Sequence, residues 1–134
     1  MAISTTTDIT TLTTADIVNL SNLEIGRLTD DQIGDLSTAQ IAALITSQIP
    51  SITATQIDAL SAVQLAALTT AQMQYVTTAV LTELTTSQWV AFSSAQIQAL
   101  TTKQLVGLSA DNLSGLNPSQ WQSFTTSQLQ KLTS

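Results

Sequence analysis

Residues 36–75 read LSTAQIAA LITSQIPS ITATQIDA LSAVQLAA LTTAQMQY when they are written in blocks of eight. Every block begins with an aliphatic residue and has Gln at its fifth place, followed by another apolar residue. In most blocks Ser or Thr comes directly after the first residue. The period of eight extends over nearly the whole 134-residue chain without an insertion or deletion. A fixed period of this kind predicts a repeat architecture.

Two apolar columns run through the repeat. We define an octad as the eight residues that begin after a first-column residue, so that Ser37 opens one octad and Leu44 closes it. The second column is then position five of the octad and the first column is position eight. We predict that both columns form the core, with these representative residues: Leu36, Ile41, Leu44, Leu68, Trp89, Phe92, Trp121 and Phe124.

The spacing of the columns excludes one continuous helix and one continuous strand. Eight residues advance a helix by about 800°, so both columns would spiral around the rod and leave no apolar face. In a strand, the alternating steps of five and three residues would place successive apolar residues on opposite faces. The chain must therefore bend once in every octad.

The polar positions predict where each helix begins. Position one is nearly always Ser or Thr, with Asn117 as a variant, and position four is usually Gln. This is the capping box, in which the two side chains bind each other's free backbone N–H groups. Pro118 fits at the first helical position, where its missing N–H is harmless. The representative capping residues are Ser37, Gln40, Thr69, Gln72, Thr101, Gln104, Asn117 and Gln120.

These signals predict an all-α solenoid of very short helices, one in each octad. Such helices are unstable alone and need contacts with neighbouring repeats. We interpret residues 1–134 as a single repeat domain, with an irregular start over 1–8 and repeats over 9–132. Thr, Ser and Gln, which dominate the polar positions, are expected on its outer surface.

A longer period and one defect stand out. Trp89 and Phe92 recur as Trp121 and Phe124, a shift of four octads. Either four octads form one superhelical turn that stacks each aromatic residue on its copy, or the pattern is a segmental duplication. Ile45 at a capping position and Pro50 late in the same octad predict an irregular corner at 45–51. A hinge or binding notch there is the functional alternative.

The amino-acid composition argues against most kinds of catalytic and metal-binding site. The chain has no His and no Cys, and its formal charge is −6. We therefore expect no catalytic residues, no cofactor and no metal site. Three basic residues are too few for electrostatic binding to nucleic acid or anionic lipid. No apolar run in the sequence is long enough to span a membrane. The tryptophans lie in a core column, which favours core packing over a sugar-stacking platform.

Several octapeptides resemble those of a known family. LSTAQIAA from Leu36, LSAVQLAA from Leu60 and LTTAQMQY from Leu68 resemble the LTTAQIAA-type repeats of large bacterial haemagglutinin and adhesin surface proteins, some of them related to haem utilisation. The resemblance covers nearly the whole chain. It implies an adhesive or structural role at a bacterial surface, and it implies no haem site here.

The ends of the chain suggest self-assembly. Repeats run almost from terminus to terminus, and residues 1–35 contain six acids and one base, whereas residues 100–134 contain Lys103, Lys131 and Asp111. A head-to-tail contact that does not close generates a filament. We expect a homo-oligomeric extracellular filament, surface stalk or adhesin without an N-terminal signal peptide; a cytoplasmic or virion location is the alternative. The competing function is a monomeric module that binds glycan, protein or ice through outer Thr and Gln rows.

Overall fold

The computed structural model describes residues 3–132 and confirms the all-α solenoid. Within this range the chain forms fourteen α-helices of four to seven residues, two 3₁₀ helices and no strand. The 3₁₀ helices are Ile9–Thr11 and Ile49–Ser51. The α-helices are α1 Thr14–Val18, α2 Asn22–Arg27, α3 Asp30–Gly34, α4 Thr38–Ala43, α5 Ala54–Asp58, α6 Ala62–Ala66, α7 Thr70–Met73, α8 Thr78–Glu83, α9 Thr86–Val90, α10 Ser94–Ala99, α11 Thr102–Val106, α12 Ala110–Leu113, α13 Pro118–Ser123 and α14 Thr126–Leu132.

Each helix starts at a capping residue and ends at the next apolar corner. Ser37 is extended, with φ −72° and ψ 162°, and its hydroxyl accepts a hydrogen bond from the Gln40 N–H. The helix that follows ends at Leu44, which is extended at φ −57° and ψ 131°. Two extended residues therefore turn the chain between helices. No residue in 3–132 has a positive φ, so the corners need no left-handed glycine.

Contacts between successive turns set the size of the superhelix. Helices three octads apart pack side by side, as α1 does with α4 and α10 does with α13. Side-chain hydrogen bonds, in contrast, join octads four apart, across 28 and 31 residues. One turn therefore holds between three and four octads, close to the four expected from the recurring aromatic pair.

The two apolar columns fill the interior. Ile41, Leu68 and Trp89 are at most 5% exposed, and most members of both columns are at most 7% exposed. The space left between Ile17, Leu28 and Leu44 amounts to about 10 Å³ and is lined only by apolar residues. That volume is near the lower limit for one water molecule, so this part of the core has no room for a ligand.

The irregular octad lies where the sequence predicts it. Ile45 has no hydroxyl to cap a helix, and its N–H donates to the Gln48 Oε1 at 2.9 Å, which forms only half of a capping box. The chain then continues in turns and in the 3₁₀ helix Ile49–Ser51, which contains Pro50. Val80, one of the two residues that replace Gln at position four after residue 32, lines the same small apolar space as Ile49 and Ile52. The two irregularities in the sequence are thus neighbours in space.

Candidate functional site: the interface between turns and its two ends

The glutamine at position four joins each turn to the previous one. The Gln40 Oε1 accepts from the Ser37 N–H at 2.8 Å, which completes the capping box. Its Nε2 donates to the carbonyl oxygens of Ile9 at 2.9 Å and Leu12 at 2.8 Å. Gln40 is only 4% exposed. One buried carboxamide therefore starts a helix and fastens it to the preceding turn.

We call this arrangement a rung, and it recurs along the described chain. In each rung, the carboxamide oxygen accepts from the N–H of the capping residue, and the amide group donates to carbonyl oxygens one turn earlier. Two such inter-turn hydrogen bonds contribute about 1–3 kcal/mol in net terms. The glutamines that make two or more of them are Gln32, Gln40, Gln48, Gln56, Gln64, Gln72, Gln96, Gln104, Gln120 and Gln128.

Three position-four residues after residue 32 depart from this pattern. Gln88 makes one inter-turn hydrogen bond, to the Ile57 carbonyl at 3.2 Å. Asn112 is shorter by one methylene, and its Nδ2 donates to the Thr82 carbonyl at 2.9 Å. Val80 offers no donor and packs over the irregular octad instead. Complete rungs at Gln72 and Gln96 flank the adjacent octads of Val80 and Gln88, and complete rungs at Gln104 and Gln120 flank the octad of Asn112.

The first turn carries acids at position four. Asp8, Asp16 and Glu24 occupy this position in the first three octads, and glutamine first appears as Gln32. Asp16 accepts from the Thr13 N–H at 2.9 Å and Glu24 from the Ser21 N–H at 2.8 Å, as a glutamine oxygen would. A carboxylate has no hydrogen to donate, and in these octads the described structure has no earlier turn to accept one. We call this surface the N-terminal face.

Hydrogen bonding affects the charge of this face. The backbone N–H of Ser21 donates to the Glu24 carboxylate and lowers the pKa of Glu24 below its ordinary value. The cause is that the hydrogen bond stabilises the ionised form. Glu24 therefore stays charged at neutral pH, as its position near the start of α2 also favours.

The last turn exposes apolar residues that are buried elsewhere. Trp121 is 39% exposed and Leu129 is 40% exposed, whereas Trp89 and Ile97, four octads earlier, are completely buried. The carbonyl oxygens of Trp89 and Phe92 accept from Gln120. Within the described range, no octad follows four places later to bring a position-four glutamine to the equivalent oxygens of Trp121 and Phe124. We call this surface, with Trp121 and Leu129, the C-terminal face.

The structure places the predicted site residues as follows. The core residues Leu36, Ile41, Leu44, Leu68, Trp89, Phe92 and Phe124 are at most 6% exposed. Ser37 with Gln40, Thr69 with Gln72, Thr101 with Gln104 and Asn117 with Gln120 form capping boxes.

Two predictions were wrong. Trp121 was expected in the core but is half exposed, because no turn covers it in the described structure. The position-four glutamines were expected outside, yet ten of them are buried, because their amide groups reach the preceding turn: Gln32, Gln40, Gln48, Gln56, Gln64, Gln72, Gln96, Gln104, Gln120 and Gln128. The aromatic rings pair within an octad, Trp89 with Phe92 at 5.6 Å and Trp121 with Phe124 at 5.4 Å.

Sequence reasoning missed the second role of the glutamines. A capping box accepts Glu as readily as Gln at its last position, so a nearly exclusive preference for Gln needs another cause. The switch from Asp8, Asp16 and Glu24 to Gln32 was the available signal. It marks the first octad whose amide group finds carbonyl oxygens one turn earlier, those of Ser4 and Thr7.

The lateral surface has shallow grooves that repeat. One groove of about 310 Å³ includes Thr10, Thr13, Thr14 and Ser37. A second groove of about 280 Å³ includes Gln74, Thr77, Thr78 and Thr101, the equivalent positions eight octads further on. Over 3–132 no group of three or more acidic side chains is arranged to hold a metal ion. In the same part of the chain no helix has the length and apolarity needed to cross a membrane.

Comparisons with protein-family models, with curated proteins and with solved structures gave no match to this chain. Its functional interpretation therefore depends on its own geometry, above all on the rungs and on the difference between the two faces.

Proposed function

We propose that this chain is a non-enzymatic structural protein that assembles head-to-tail into an extracellular filament or surface stalk. The observation that carries the proposal is the exposed C-terminal face. Trp121 and Leu129 present the apolar half of an interface whose other copies, such as those around Trp89 and Ile97, are closed by the next turn. A second molecule that continues the solenoid would bury this surface in the same way.

The repeated rung supports propagation from one molecule to the next. Most internal interfaces use the same carbonyl positions and the same apolar columns, so a junction between molecules needs no new type of contact. Because such a contact is heterologous, it leaves a free face at each end and extends without closing.

Electron microscopy and analytical ultracentrifugation across pH 3–8 test the proposal. Leu129→Lys places a charge in the C-terminal face, and we expect it to abolish fibres while circular dichroism stays helical. Val63→Lys is the matched control, because Val63 is 68% exposed on α6, far from both ends. A purified wild-type protein that remains monomeric at every pH and at high concentration contradicts the proposal. So does fibre loss in the Val63→Lys control with folding intact.

The second candidate function is a binding module, and the repeated lateral groove favours it. Two grooves lined by equivalent Thr residues, eight octads apart, give regularly spaced hydroxyl groups. Glycan, a protein surface or ice are the ligands that such an array fits. The double variant Thr14→Lys/Thr78→Lys should abolish binding to a glycan array or inhibition of ice growth, and should leave end-to-end assembly unchanged. Neither residue is a helix cap. Thr78 is partly buried with its methyl group close to Gly107, so circular dichroism must confirm that the double variant is folded.

A further inference from the structure

The two faces do not match at neutral pH. Inside the molecule, a rung needs a donor at position four and two carbonyl oxygens one turn earlier, as in Gln120 with Trp89 and Phe92. At a junction that continues the octad pattern, the donors would have to come from the first turn of the second molecule. That turn has Asp8, Asp16 and Glu24 at position four. Asp16 and Glu24 accept from the N–H of their capping residues, whereas the Asp8 carboxylate accepts from the N–H and the hydroxyl of Thr10. Ionised carboxylates facing carbonyl oxygens place acceptor against acceptor.

Protonation changes what these side chains offer. A neutral carboxylic acid keeps a carbonyl oxygen for the capping N–H and gains one O–H that donates. It then resembles a carboxamide with one hydrogen fewer. Asn112 demonstrates that a side chain with the length of Asp reaches the preceding turn, since its Nδ2 donates to the Thr82 carbonyl at 2.9 Å. Shortness alone therefore does not prevent an Asp from making one inter-turn hydrogen bond.

We propose that the C-terminal face binds the N-terminal face of a second copy of this chain, and that ionised Asp8, Asp16 and Glu24 prevent this contact at neutral pH. The inference rests on the proposed function and adds its regulation. Junctions form when the three carboxyl groups are neutral, because only then does each end supply the complementary half of a rung.

Besides the three acids, seven charged residues lie in the octads nearest the proposed junction. Helix α4, which packs against α1, and the 3₁₀ helix Ile49–Ser51, which packs against α2, contain no titratable side chain. The remaining charged residues of the first four octads are Arg27, Asp30, Asp31 and Asp35. In the last four octads they are Lys103, Asp111 and Lys131. These surface groups tune the contact through screened interactions, which added salt weakens.

The experiment compares three proteins by analytical ultracentrifugation at pH 7 and pH 3. They are the wild type, the amide variant Asp8→Asn/Asp16→Asn/Glu24→Gln, and the control Asp58→Asn/Glu83→Gln, which removes two negative charges away from both faces. We expect the wild type and the control to be monomeric at pH 7 and to assemble only in acid, when the pH falls below the lowered pKa of Glu24. The amide variant should assemble at both pH values, with at least a two-fold rise in average mass.

Each alternative result has a defined meaning. Assembly of the wild type at pH 7 contradicts the proposal that ionised carboxyl groups prevent the junction, which we call the carboxyl gate. It does not contradict the proposed head-to-tail assembly. Assembly of the control at pH 7 also overturns the gate, because general loss of charge would then explain the effect. If 1 M salt at pH 7 makes the wild type assemble, repulsion rather than missing donors is responsible, and the gate is again overturned. If no protein assembles under any condition, the head-to-tail proposal itself fails.

A further variant keeps the amide result interpretable. Adding Leu129→Lys to the amide variant should restore the monomer at pH 7, because the lysine blocks the opposite face. Circular dichroism of all proteins checks that helices persist. Assembly that survives Leu129→Lys would mean that the amide variant associates elsewhere, and would overturn the proposed pairing of faces.

Discussion

Two octads that share the segment Ser-Gln-Trp and a closing Phe, one inside the solenoid and one near its C-terminal end, differ in burial. The pair Trp89 and Phe92 belongs to the sequence TTSQWVAF, and the pair Trp121 and Phe124 to NPSQWQSF. Trp89 is completely buried, with its ring nearly perpendicular to Phe92 at 77°, whereas Trp121 is 39% exposed and tilted by 45° from Phe124. The local helices start in the same way, with a capping box in each.

This difference shows that the sequence of an octad determines where its helix starts, whereas the neighbouring turn determines whether its apolar side chains are buried. The octad that contains Trp121 itself supplies Gln120, which donates to the carbonyls of Trp89 and Phe92 and covers that pair. Within 3–132 no later turn does the same for Trp121. Four experiments break or sharpen this comparison.

The largest effect is expected from removing the two indoles separately. Trp89→Ala should lower the free energy of unfolding by about 3–5 kcal/mol, because it leaves a cavity in a closed core. Trp121→Ala should cost less than half as much, since its ring is already in contact with solvent. Urea denaturation followed by circular dichroism measures both. Equal losses would mean that the C-terminal face is covered in solution.

The second experiment removes the two hydrogen bonds that Gln120 donates to the carbonyl oxygens of Trp89 and Phe92. Gln120→Glu keeps the acceptor for the Asn117 N–H but replaces the two donors with a buried charge. We expect the free energy of unfolding to fall by about 3 kcal/mol at pH 7. Because burial raises the pKa of the introduced carboxyl above its unfolded value, the loss should be nearly absent at pH 3 and should grow as the pH rises.

Gln88→Glu is the matched control for that experiment. Gln88 makes a single inter-turn hydrogen bond of 3.2 Å and is only partly buried, so its substitution should cost less and depend less on pH. If the two variants lose the same free energy, the rung at Gln120 has no special role in covering the aromatic pair.

The third experiment concerns the indole nitrogen. The Trp89 Nε1 is buried without a hydrogen-bond partner, which costs about 1–3 kcal/mol. Trp89→Phe removes this unpaired N–H and also some packing volume, so the two effects should nearly cancel and leave the stability within about 1 kcal/mol of the wild type. Differential scanning calorimetry checks this value. A loss as large as that of Trp89→Ala would show that packing volume alone decides the stability.

The smallest effect is expected at the opposite end. The pKa of Glu24 is lowered by the Ser21 N–H, so its contribution to stability is present above the ordinary glutamate pKa and is lost as the pH falls through the lowered value. Because Glu24 is accessible to solvent, this loss should be slight. Comparing the melting temperatures of wild type and Glu24→Gln between pH 2 and pH 6 tests it. The melting temperature of Glu24→Gln should lack the part of the pH dependence that comes from ionisation of Glu24.

Most of the local structure was predictable because its causes lie within a few residues. A capping box joins residues three apart, so Ser37 and Gln40 announce a helix start without any knowledge of the fold. The absence of a hydroxyl at Ile45, together with Pro50, likewise identified the irregular corner. The inter-turn half of each rung was not predictable in this way, because its acceptors lie 28 and 31 residues away.

The sequence alone therefore determined the all-α repeat, its helix starts and the two core columns, since capping and side-chain burial act at the scale of one octad. Only the tertiary structure decided how many octads make a turn, why position four is Gln rather than Glu, and which tryptophan is covered. The physical reason is that the chain changes direction at every corner, and these changes add up over a whole turn before a donor reaches its distant acceptor.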